Sequence, residues 1–168
     1  MSPKRFAILA SGKGSNAQAL MESFRSGFIS AELGLVVTDQ PNAGVIERAQ
    51  SMGYPLEIVE RKKISREAHE ERLLEILHMN SIEHILLAGY MRILSPFFLA
   101  RFPGIVLNIH PSLLPEFPGL HAQAQQWHAG VRVAGATVHQ VDEGMDTGAI
   151  VLQGSLLVRG DEGAEGLA

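Results

Sequence analysis

Apolar residues fall in short solid blocks, and the stretches between them carry helical spacing. Phe6–Ala10 is an unbroken apolar run, as a strand buried on both faces requires. The glycine-bearing SGKGSN after it predicts a turn, and Ala17–Ser26 a helix closed by Gly27. Leu33–Thr38 repeats the buried-strand pattern, Val45–Met52 predicts a short helix before Gly53, and Pro55–Val59 a third short strand. From Ser65 a helix runs to about His78, with Leu73, Leu74, Ile76 and Leu77 on its apolar side and Asn80 as a stop. HILLAG, residues 84–89, is the next buried strand. Pro96 opens a short helix ending before Pro103-Gly104, and Ile105–Ile109 returns to strand. Strands alternating with helices predict an α/β chain with a Rossmann-like, mostly parallel sheet flanked by helices. Then the pattern changes. Val131–Val141 and Ala149–Val158 are strand-like runs joined by DEGMDTG, which predicts antiparallel strands added in the C-terminal part.

One apolar block breaks its own rule. In NIHPSLLPEFPG, residues 108–119, polar Asn108 and His110 interrupt the end of a buried strand. Two residues apart, they project to one face while Leu107 and Ile109 face the other. Ligands of parallel α/β sheets bind beyond the carboxyl ends of strands, where this pair is expected to lie. The competing reading is a satisfied polar pair that only fixes the turn before Pro111.

Composition narrows the function. A chain of 168 residues, 46% hydrophobic and 19% charged, is the size and make-up of one folded domain. Its net charge of -4 provides no basic footprint for nucleic acid or for an anionic membrane. With no cysteine, thiol catalysis and cysteine-ligated metal are excluded. The Phe6–Ala10 run is too short for a signal-peptide core or a membrane span, so a soluble, cytoplasmic protein is expected.

SGKGSNAQAL fits G-x-G-x-x-A at Gly12, Gly14 and Ala17 between a strand and a helix, the context of a dinucleotide fingerprint. Asp39, 27 residues after Gly12, offers a ribose ligand at somewhat more than the usual interval. The same backbone N–H groups, flanked by Ser15 and Asn16, would hold any phosphate, and a plain turn with Ser15 or Asn16 capping the helix is the third reading. His110, His121, His128 and His139 invite a metal, yet no H-E-x-x-H spacing occurs. DEGMDTG carries Asp142, Glu143 and Asp146 and reads either as a solvated turn or as the carboxylate partner of an imidazole. Arg61, Lys62, Lys63 and Arg66 read as a solvated face with a minor chance of meeting an anion.

SGKGSN at 11–16, AGYMRILSP at 88–96, NIHPSLLPEFPGLH at 108–121 and VDEGMDTG at 141–148 together resemble the glycinamide ribonucleotide formyltransferase family of purine biosynthesis, in order and spacing across nearly the whole chain. NIHPSLLP with a downstream D-x-G resembles the wider formyltetrahydrofolate-using group, and GxGSN narrows it to members whose substrate carries a ribose phosphate. The resemblance implies formyl transfer from 10-formyltetrahydrofolate, as co-substrate, to the amine of glycinamide ribonucleotide, with no metal. It implies a catalytic trio at Asn108, His110 and Asp146 and a phosphate loop at Gly14, Ser15 and Asn16. The folate cleft would take Met91, Arg92, Ile93, Leu94 and Asn108 with Asp142, Glu143, Gly144, Met145 and Asp146, and Arg66 would meet the folate's glutamate tail. It further implies a single domain over 1–168, with a phosphate-binding half at about 1–80 and a folate and catalytic half at about 81–158. Small-molecule substrates are the expected partners, without nucleic acid or membrane, and a homodimer is left open. A formyltetrahydrofolate hydrolase and a catalytically impaired folate-binding fragment are the alternatives. Ala124 stands where the family usually has arginine, and Ala17 and Gln140 also depart from its pattern. The chain ends at LVRGDEGAEGLA, about where the family begins a further amphipathic helix, which this chain is expected to lack.

Overall fold

Solid apolar blocks become strands buried on both sides. In the computed structural model, which describes residues 3–62, 64–159 and 163–166, Ala7, Ile8 and Leu9 in β1 (Arg5–Leu9) are fully buried. β2 (Glu32–Thr38) is buried from Leu33 onward, and β3 (Leu56–Ile58) and β4 (His84–Leu87) complete a parallel set in the order β3-β2-β1-β4. The alternation of strand and helix therefore yields the parallel pairing it implied. The chain divides into two compact units, Met1–Val106 and Leu107–Ala168.

In the first unit α1 (Ser15–Arg25) buries Ala17, Met21 and Phe24, a spacing of four and three that lines one helix face. α2 (Val45–Ser51) adds Val45 and Ala49 to the same core. α1 begins two residues earlier than expected because Gly14, at φ 78°, turns the chain into it. α3 (Arg66–Met79) is capped by Ser65, whose hydroxyl accepts from Ala68 N–H at 3.1 Å, and it buries His69, Glu70, Leu73 and Leu77. α4 (Pro96–Arg101) has proline in its first turn and Ser95 as its cap.

β5 (Val106–His110) opens the second part; β6 (Val133–Gln140) pairs antiparallel with β5, and β7 (Ile150–Leu157) antiparallel with β6. The expected antiparallel addition is observed. α5 (Ala122–His128) was not expected, since AQAQQWH has no apolar period; it is a short turn of helix that buries Ala122 and Gln126. A four-residue turn, α6 (Gly163–Gly166), was not foreseen either.

Candidate active site

The polar pair that interrupts β5 is built into a network of the second unit. Antiparallel register sets Asn108 opposite His139 and His110 opposite Thr137, so side chains 31 residues apart in sequence become direct neighbours. Asn108 Nδ2 lies 3.1 Å from His139 Nε2. His139 Nδ1 lies 3.0 Å from the Gln140 carbonyl, which assigns the ring proton to Nδ1. Nε2 then accepts from the Asn108 amide, whose second N–H is left for another acceptor.

His110 is 4% exposed. Its Nε2–H donates to the Phe117 carbonyl at 2.8 Å, which anchors the ring. Its Nδ1 faces Asp146 Oδ2 at 3.3 Å. Asp146 accepts from Gly119 N–H through Oδ2 at 2.8 Å, and its Oδ1 lies 3.4 Å from His139 Nε2, which can donate to it only when that ring carries a second proton. Asn108, His139, Asp146 and His110 thus form one polar chain, with a carboxylate between two imidazoles.

Local backbone geometry aims these groups. Asp146 and Phe117 both occupy the left-handed region, at φ 56° and 53°, a conformation that costs non-glycine residues and that collects at functional sites. Thr137 Oγ1 accepts from Leu114 N–H at 3.0 Å and donates to Ser112 O at 2.7 Å, pinning the segment between His110 and Phe117. Asp142 Oδ1 accepts from Gly144 N–H and from the Thr147 hydroxyl, at 3.0 and 2.8 Å. A side chain at Gly144 would meet Thr147 Oγ1 at 2.0 Å, so this tight turn requires glycine. The Asp142 carboxylate is therefore spent on folding the loop that presents Asp146, whereas Glu143 and Met145 are exposed.

In the first unit, two loops meet beyond the carboxyl ends of β1 and β4, where the strand order reverses. Ser11 N–H donates to Gly89 O at 3.1 Å and Ser11 Oγ accepts from Met91 N–H at 2.9 Å, tying SGKGSN to the 89–91 segment. Gly14 is the cap residue of α1 and no side chain caps the helix, so Ser15 and Asn16 stand exposed at its start. The capping reading of these two residues does not hold. Asp39 is no ribose ligand in waiting: its side chain is buried beside Gln40 and lies 3.9 Å from Arg61 Nε. Met91 and Ile93 expose their apolar side chains, Arg92 is half-buried, and Leu94 belongs to the core. Arg66 Nη2 donates to Ile93 O at 2.6 Å, and its Nε to Glu70 at 3.3 Å. Arg61 is half-exposed and Lys62 exposed, while Lys63 lies outside the described residues.

His69 and Tyr90 both depart from their ordinary titration. Burial, reinforced by the Arg92 charge, holds His69 below the usual imidazole value. Burial also pushes the Tyr90 phenol up, assisted by the Asp39 charge. Among the described residues no three histidine, aspartate or glutamate side chains are grouped to hold a metal ion, and no helix is long and apolar enough to cross a membrane.

The formyl transferase family model matches residues 4–168. The chain belongs to the formyl transferase family. It is 46% identical over 151 residues to the phosphoribosylglycinamide formyltransferase of Bacillus subtilis, covering 89% of this chain and 77% of that one. It is 45% identical over 163 residues to the trifunctional purine biosynthetic protein adenosine-3 of Drosophila pseudoobscura pseudoobscura, covering 95% of this chain but 12% of that much longer relative. The crystal structure of glycinamide ribonucleotide transformylase 1 from Symbiobacterium toebii superposes with a TM-score of 0.93 at 40% identity, over 98% of this chain and 78% of that one. Within this family fold, sequence reasoning selected Asn108, His110 and Asp146 but weighed His139 only as a metal ligand. Its placement opposite Asn108 depends on strand register, for which the alternating run Thr137, Val138, His139 is the available signal.

Proposed function

We propose that this chain transfers the formyl group of 10-formyltetrahydrofolate to the amine of glycinamide ribonucleotide, in the cytoplasm, as a step of purine biosynthesis. The polar chain Asn108–His139–Asp146–His110 is the observation that carries the reading. The substrate amine attacks the formyl carbon and the carbonyl oxygen becomes an oxyanion. Asn108 supplies its second amide N–H to that oxyanion, and protonated His110 supplies the proton on Nδ1, with the Asp146 carboxylate beside it balancing the imidazolium. Collapse of the tetrahedral intermediate breaks the bond to the folate nitrogen, which leaves with a proton, while the amine loses one.

The anchoring residues fit two anionic or aromatic substrates. Gly14, Ser15 and Asn16 offer N–H groups and polar side chains to a phosphate at the start of α1. In the first unit, exposed Met91 and Ile93 offer apolar surface and Arg66 a cation for the folate tail; in the second, Met145 and the backbone of 142–146 offer apolar and hydrogen-bonding groups of their own. The deciding experiment follows consumption of 10-formyltetrahydrofolate with and without glycinamide ribonucleotide. Consumption that requires the amine supports transfer. Equal consumption without it supports the hydrolase instead, and tight folate binding with no consumption supports a binding protein.

A further inference from the structure

Glu70 lies in the first turns of α3 and is 2% exposed. A buried carboxylate is costly unless it is paired and hydrogen-bonded, and this one spends its acceptors on three donors. It accepts from Ser95 N–H at 3.0 Å, from the Ser95 hydroxyl in a short bond, and from Arg66 Nε at 3.3 Å. Ser95 is at the same time the cap of α4, accepting from Phe98 N–H at 3.2 Å. Arg66 closes the circuit by donating from Nη2 to Ile93 O. One buried charge therefore joins the start of α3, the backbone of 93–95 and the start of α4. The Arg66 side chain, about half exposed, has two of its five N–H groups committed by these bonds, so its remaining N–H groups project from a fixed guanidinium plane.

From this geometry we infer that Glu70 is a positioning residue: it orients Arg66 to receive a carboxylate of the co-substrate and holds the exposed Ile93 segment beside it. The inference rests on the formyltetrahydrofolate reading, in which Arg66 meets the folate tail, and adds Glu70 as the residue that fixes Arg66 for that contact. Because the contact is made equally in the ground and transition states, it acts on KM and not on kcat.

The test compares a formyl donor bearing its glutamate tail with a pteroyl donor lacking the tail carboxylates. Glu70→Gln keeps an oxygen for Ser95 and removes the charge facing Arg66. KM for the tailed donor is expected to rise about 3- to 10-fold with kcat within about 3-fold, the range for a charge-assisted hydrogen bond at a half-exposed site. KM for the tail-less donor should move less than about 2-fold, and Glu70→Gln should add nothing once Arg66→Ala is in place. Glu70→Asp guards against misfolding of the amide variant: it keeps the charge but is too short to reach both Ser95 and Arg66, and should show the same tail-specific rise. The Arg66 Nε–H signal in NMR should be protected in the parent and lose that protection in Glu70→Gln. An equal rise for both donors, a fall in kcat at constant KM, or an unchanged Arg66 signal would overturn the inference. Binding of unreactive tailed and tail-less folates, read by fluorescence, carries the same comparison without turnover. A chain that distinguishes the two folates through Glu70 but transfers no formyl group would defeat the proposed function and leave this inference standing.

Discussion

Replacing Asp146 by asparagine removes one charge from the centre of the polar chain and almost nothing else. The amide retains an oxygen for Gly119 N–H, and asparagine tolerates the left-handed backbone at φ 56° at least as well as aspartate. The 3.3 Å separation of His110 Nδ1 and Asp146 Oδ2 sets the size of the loss. At an effective dielectric of about 20, an imidazolium and a carboxylate at that distance attract by about 5 kcal/mol. The side chain is 11% exposed, so water and the remaining amide dipole recover roughly half of this, leaving about 2–3 kcal/mol. The imidazolium matters when the oxyanion forms, so the deficit should appear in kcat as a fall of about 30- to 150-fold, with KM for both substrates within about 3-fold. Steady-state kinetics beside a thermal melt measure both quantities. A variant that melts like the parent and turns over within 3-fold of it would refute the pairing argument.

Three other substitutions probe separate links. His110→Ala should lower turnover by about 10²- to 10⁴-fold while folate-analogue binding stays within about 3-fold, whereas near-normal turnover would remove His110 from the mechanism. Gly14→Ala forces a side chain onto φ 78° and to 2.7 Å from Val45 Cβ; it should cost about 1–3 kcal/mol in urea unfolding and raise KM for the phosphate-bearing substrate, and an unperturbed variant would show the loop to be slack. His69, held below the usual imidazole value by burial, binds fewer protons folded than unfolded, so stability should be complete above about pH 6.5 and fall as pH drops from there through the lowered folded value. His69→Leu should lose that part of the acid dependence, and an identical acid loss in both proteins would assign it to other groups.

Strand and helix order was legible because buried strands and amphipathic helices each demand their own apolar spacing. β1, β2 and α1 announce themselves in Phe6–Ala10, Leu33–Thr38 and the Ala17, Met21, Phe24 series. α5 was hidden because a seven-residue helix that buries only Ala122 and Gln126 leaves no periodic trace. At the candidate site, Asn108 and His110 stood out as polar residues inside an apolar run. His139 did not, since its neighbourhood to Asn108 comes from antiparallel register across β5 and β6. Glu70 was equally hidden: on α3 it reads as one acidic residue among several, and only folding against Ser95 and Arg66 buries it. The left-handed backbone at Phe117 carries no residue-type signal, and at Asp146 it carries only the weak one that aspartate tolerates this region.

The central claim is that a formyl group passes from the folate to the ribonucleotide amine without being released to water. A single turnover with the chain in excess over 10-formyltetrahydrofolate carrying a ¹³C-formyl label follows that atom directly by NMR. The account predicts that the label stays on the folate until glycinamide ribonucleotide is added and then appears in the formamide of the product, at a rate lowered in Asp146→Asn and His110→Ala. Label appearing as free formate, with or without the ribonucleotide, would contradict it.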